Sequence, residues 1–137
     1  MTDYFSAALT DEEINAMSSL ALAHLGDCVY ELMTRTHLVV HGGVTNSSLH
    51  KRTIALVCAR AQAKGAALIA PLLTQEEQTV YRRGRNARVN SVPKSADISE
   101  YHAATGLEAL FGWLWLKGRR QRLCELFTVI MENQNAA

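Results

Sequence analysis

An all-α domain is what this sequence predicts, and three observations predict it. Only two prolines and eight glycines stand among 137 residues, too few for a loop-rich β sandwich. Threonine and glutamate twice stand three residues apart, at Thr10/Glu13 and Thr74/Glu77, the spacing of a helix-opening capping box. No segment reads as a convincing strand, although the run His37–Val40 is locally β-prone. With 48% apolar and 20% charged residues, the composition is that of an ordinary globular domain with its own core.

Thr10 opens a short helix. Ser18 or Ser19 caps a second one running to about His41, where Gly42-Gly43 stops it. Residues 44–52 form a loop feeding a third helix, with Asn46 or Ser47 as its cap. That helix runs from about Leu49 to Gly65 or just past it. Pro71 kinks or ends any helix through residues 66–73. Thr74 opens a helix over 75–85, and residues 86–99 hold turn formers with little periodicity, a loop. Ser99 begins the next helix, which ends near Gly118. A last amphipathic helix covers 119–133, and the tail frays. There are no repeats, and 137 residues suit one domain, read as 1–137.

Composition also excludes classes. No apolar run reaches the ~20 residues a bilayer requires, and the N-terminus has acids instead of a basic n-region and apolar h-region. No membrane partner is expected. Cys28, Cys58 and Cys124 are odd in number and lack CxxC spacing, which predicts reduced, mostly buried thiols and a cytoplasmic location. Net charge is only +1, but it is segregated: residues 1–34 hold six acids and no Lys or Arg, while 81–94 hold four arginines, one lysine and no acid.

Two acids stand out. Asp27 and Glu108 each interrupt a strongly apolar helix, and a glycine precedes each, Gly26 and Gly106. Glycine inside a helix costs roughly 1 kcal/mol relative to alanine, tolerable where two backbones approach closely or a ligand must fit. One explanation covers both: the helices cross and the acids share a site. Adjacent carboxylates repel, and a hard divalent cation with oxygen ligands, such as Mg²⁺, relieves that. The plainer alternative is that each acid caps a helix or pairs with an arginine. Glu31, four residues after Asp27, is either a more distant acid of the same site or half of an ion pair.

The segments carrying these acids are similar to known ones. "LGDCVYEL" resembles the first signature of the ribonuclease III family, and "TGLEALFGWLWL" resembles its second. "LHKRT", "ARAQA" and "YRRGRNA" with "PKSAD" resemble the compact branch, Mini-ribonuclease III, so the likeness covers roughly residues 18–125. The resemblance implies a helical endonuclease domain without the double-stranded-RNA-binding domain of the larger enzymes. It implies Mg²⁺-dependent cleavage of double-stranded RNA, with Mn²⁺ as a substitute metal, giving 5′-phosphate and 3′-hydroxyl ends. Asp27 and Glu108 would be both catalytic residues and metal ligands. The larger family has further acids where Leu20, Ala23 and Thr105 stand here, so metal binding should be weaker and more of the coordination left to water and RNA. The expected substrate is precursor 23S (large-subunit) ribosomal RNA, with a ribosomal protein or the assembling large subunit as a further partner. Cutting both strands takes two centres, so a homodimer is expected.

For RNA contact the basic segment supplies Arg82, Arg83, Arg85, Asn86, Ser91 and Lys94, with Gly84 bending the backbone between two arginines. Lys51 and Arg52, near a capped helix start, join them. Lys117, Arg119, Arg120 and Arg122 are weaker candidates. The five histidines match no zinc spacing, and His24 is either near the site or simply exposed. Phe111, Trp113, Trp115 and Leu116 read as core or subunit interface. The competing readings are a non-catalytic helical RNA- or ribosome-binding dimer and, further off, a plain dimerisation module.

Overall fold

Five of the helices begin where a side chain accepts from a free backbone amide. The computed structural model describes residues 1–42, 45–87 and 97–134. Among them run α1 (Asp11–Asn15), α2 (Ser19–His41), α3 (Asn46–Val57), α4 (Ala59–Ile69), a 3-10 turn (Ala70–Leu72), α5 (Gln75–Arg85), α6 (Ile98–Leu116) and α7 (Arg120–Gln134), with no strand. The all-α expectation holds. Both capping boxes form, at Thr10/Glu13 and Thr74/Glu77, and Ser18 accepts from the Ala21 amide. Gly118 takes a positive φ of 71° just past α6, a turn that glycine enters without strain.

Several boundaries differ from expectation. Thr45 caps α3 in place of Asn46 or Ser47, and Asp97 caps α6 in place of Ser99. The single helix expected from Leu49 to Gly65 is two. The chain leaves helical geometry at Cys58 (φ −65°, ψ 159°), and the next helical stretch departs at 54°. The thiols are free but exposed, contrary to the burial expected of them. Cys28 and Cys124 lie on outward faces of α2 and α7, and Cys58 sits at the break. Gly43, Ser91, Lys94 and the tail 135–137 lie outside the described residues. Among the described residues no single helix is long and apolar enough to cross a membrane.

α6 is the axis of the fold. From Ala104 to Leu114 every residue is buried except Glu108. α2, α4 and α5 pack on it, and α7 closes against α4 and α6. Trp113 and Phe111 are core, with Trp115 and Leu116 partly buried beside them. Tyr30 packs tilted against Phe111 and edge-on against Phe127, at centroid distances of 5.2 and 5.5 Å.

The C-terminal basic cluster is mostly structural. Arg122 binds the buried Glu77 through Nε and Nη2, at 2.9 and 2.8 Å, and also reaches the Leu72 carbonyl at 2.7 Å. Lys117 pairs with Asp11 at 2.9 Å and lies over the Trp113 ring. Arg119 faces Glu76 at 3.7 Å, and Arg120 covers Trp115.

Candidate active site

The α2–α6 crossing has no side chains at its centre. A Cβ on Gly26 would overlap the Glu108 carbonyl oxygen and come within 2.8 Å of the Gly112 amide nitrogen. One on Gly112 would overlap the Leu22 carbonyl oxygen. The backbones touch there, as the glycine before Asp27 led one to expect. The partner glycine is Gly112, however. Gly106 instead packs against Tyr81 of α5.

This close approach brings the two acids together. Asp27 is exposed and not buried, while Glu108 is half-buried. Their carboxyl groups are in contact across the crossing, and the Glu108 pKa is pushed up to about 8. Burial contributes most. The contact with Asp27 and its charge come next, and the Gln62 carboxamide opposes them. Gln62 comes from α4, is 1% exposed and lies beside the Glu108 carboxyl. Neither of its polar atoms makes a formed hydrogen bond among the described residues. Among the same residues, no third Asp, Glu, His or Cys joins the pair in a metal-holding cluster. The two carboxylates make an all-oxygen acceptor pair, the chemistry a hard divalent cation takes.

Glu108 therefore favours the folded state when protonated. Its folded pKa, about 8, lies above its ordinary 4.5. The contribution is complete below the ordinary value and is lost as pH rises through the folded one. In chelator-containing buffer, the urea midpoint of the wild type should fall between pH 5 and 8 relative to that of Glu108→Gln. Parallel profiles for the two proteins would refute the assignment.

The RNA candidates disperse. Arg82, Arg83 and Asn86 line one open groove with Ser18, Ser19 and Leu20. Leu20 lies seven residues before Asp27 on the same side of α2, roughly 10 Å along its axis. Arg85 turns onto the Tyr81 ring instead. The arginines stand on the last turn of α5, the helix expected over 75–85, and Gly84 is buried within it. Its missing Cβ admits Ala109 of α6, and it bends nothing. Lys51 and Arg52 are exposed on α3, where Arg52 contacts the Gly42 carbonyl at 3.5 Å. Glu31 pairs with Arg35 at 3.0 Å, and His24 is exposed.

A model of the Ribonuclease III domain family matches residues 20–119, which include both acids and the crossing. A Mini-ribonuclease 3 of Thermoanaerobacter sp. is 44% identical over 115 residues, 84% of this chain and 81% of the relative. That of Symbiobacterium thermophilum is 48% identical over 107 residues, 78% and 82% of the two chains. The crystal structure of a Fusobacterium nucleatum protein superposes with a TM-score of 0.80 at 28% identity, covering 89% of this chain and 98% of that one. Glycine crossing, acid pair and overall likeness agree: the chain belongs to the ribonuclease III family, in its Mini-ribonuclease 3 branch.

Proposed function

We propose that this endoribonuclease cleaves double-stranded RNA, with Mg²⁺ (or Mn²⁺ in its place) held by Asp27 and Glu108. The observation that carries the proposal is the meeting of these two carboxyls over a crossing too tight for any side chain. The donor set fits the metal: both groups offer oxygen, and the charge of Asp27 beside Glu108 is one that a divalent cation would offset. When bound, Mg²⁺ supplies Lewis acidity at the scissile phosphate and lowers the pKa of water there. The chain's own residues do the rest. Asp27 and Glu108 would hold the cation through their carboxylate oxygens, with Glu108 in its charged form. Arg82, Arg83 and Asn86 hold RNA phosphates and sugars in the groove along α2. Lys51 and Arg52, with Arg85, extend the contact. The reaction needs no nucleophilic side chain and leaves 5′-phosphate and 3′-hydroxyl ends.

The substrate we favour is precursor 23S ribosomal RNA in the cytoplasm, met with a ribosomal protein or on the assembling large subunit. This rests on kinship with the Mini-ribonuclease branch. A homodimer is supported by the outward face of α2, where Leu32, Val39 and Val40 are 53%, 69% and 66% exposed. The scarcity of acids at the site favours the non-catalytic RNA-binding reading. Wild-type protein incubated with an RNA duplex and Mg²⁺ decides between them. Cutting supports the nuclease, and binding without cutting supports the alternative.

The groove makes its own prediction. Arg82→Gln and Arg83→Gln should each weaken duplex binding and make the slope of log affinity against log salt shallower by about 1. Filter binding at several salt concentrations measures it. An unchanged slope would remove these side chains from the RNA interface.

A further inference from the structure

Gln62 is a conspicuous polar residue inside this core. It is 1% exposed, and neither its Nε2 nor its Oε1 has a hydrogen-bond partner among the described residues. Buried amides left in that state are rare, because each polar atom loses water and regains nothing. Evolution has an inexpensive remedy, an apolar residue of the same size, and this chain lacks it. The backbone placement is also particular. The break at Cys58 starts α4 afresh, the Gln62 backbone N–H donates to the Cys58 carbonyl at 3.0 Å, and the new helix direction lays Gln62 on α6 next to Glu108. Its neighbours on the same face, Ala66 and Ile69, are ordinary core. The side chain of that face that cannot satisfy itself is thus the one beside the acid pair.

We propose that Gln62 is a positioning residue of the active site: its Nε2 donates to the Glu108 carboxylate and fixes the direction in which Glu108 presents its oxygens to a divalent cation. The inference rests on the two-carboxylate reading above. It assigns Gln62 no contact with RNA and no part in proton transfer. Such supporting partners commonly change metal affinity by 10- to 100-fold when lost.

Gln62→Met keeps the volume and removes both polar atoms. Without metal it should melt at or above the wild-type temperature, because nothing buried is left unpaired. Its Mn²⁺ affinity, followed by calorimetry or by the Mn²⁺ spin-resonance signal, should fall about 10-fold or more, and kcat should fall with the KM for duplex RNA unchanged. Gln62→Asn, one methylene shorter, should show the same weakened Mn²⁺ binding. Wild-type Mn²⁺ affinity and kcat in either variant would overturn the proposal. So would a Gln62→Met protein that fails to fold or melts well below wild type, since the amide would then serve the core. Asp27→Asn and Glu108→Gln belong in the same titration. If they bind Mn²⁺ as wild type does, the two-carboxylate reading fails, and the role of Gln62 falls with it.

Discussion

Asp27→Asn should stop duplex cleavage while leaving a folded, RNA-binding protein. Asparagine has nearly the shape of aspartate and lacks its charge. The position is exposed, so no packing is disturbed. Folding should even gain slightly, because the change removes the charge that opposes ionisation of Glu108. The loss falls on catalysis. A divalent ion supplies several kcal/mol of transition-state stabilisation, and each ~1.4 kcal/mol is tenfold in rate. Taking away one of the two carboxylates should therefore slow cleavage by on the order of 10³ or more. Glu108→Gln should do the same by a different route, as a permanent version of the protonated acid. The measurement is single-turnover cleavage of a defined RNA duplex at saturating enzyme, with filter binding and thermal melting alongside. A rate within tenfold of wild type in Asp27→Asn would dismantle the assignment. Retained binding with lost cleavage separates a catalytic defect from a lost interface, which is where Arg82 and Arg83 act instead.

The same residues show which parts of the structure a sequence exposes. Asp27 and Glu108 were legible because a charge in an apolar helix breaks a strong pattern, and because the segments around them resemble known signatures. Helix starts at Thr10 and Thr74 were legible because capping is local chemistry, settled within four residues. The break at Cys58 was not: no glycine or proline stands between Asn46 and Lys64, and it is tertiary packing of α4 on α6 that holds the chain out of helix there. Gln62 was hidden for a related reason. Between Arg60 and Lys64 it reads as one more solvated side chain, and only the direction α4 takes after the break turns it inward. Gly112 was illegible too, since a small residue between Phe111 and Trp113 looks like core filler. Its role depends on Leu22 of α2 lying opposite, a long-range fact. The arginines illustrate the limit for charge. Composition marked 81–94 as basic, but only the fold separates Arg82 and Arg83, in the groove, from Arg85, on Tyr81.

Gly26→Ala is the mutation that should damage the fold most for the fewest atoms added. The methyl group would land on the Glu108 carbonyl oxygen and against the Gly112 nitrogen, both backbone atoms of α6, whose stretch from Ala104 to Leu114 is buried apart from Glu108. A flexible side chain could swing aside, but these atoms can yield only if α2 and α6 separate. Separation opens the core around Leu22, Val29, Leu110 and Phe111. Overpacking alone costs 1–3 kcal/mol, and a forced backbone shift belongs to the exceptional tail, so roughly 4 kcal/mol or more is expected. That is most of the margin of a domain whose whole stability is about 5–15 kcal/mol. Two other glycines calibrate the result. Gly65→Ala meets only Ile130 side-chain atoms, at 3.1 Å or more, and should be mild. Gly118→Ala meets nothing within 4 Å but must hold a φ of 71°, a strain of about 1–2 kcal/mol. Urea melts of the three proteins should rank Gly26→Ala far below the other two. Any folded Gly26→Ala that remains should also cut RNA disproportionately slowly, because moving α2 from α6 moves Asp27 from Glu108, and about 1 Å of misplacement can cost 10²-fold. A Gly26→Ala protein as stable as Gly65→Ala would mean that the backbones do not touch, and that the two acids are not held where the proposed chemistry needs them.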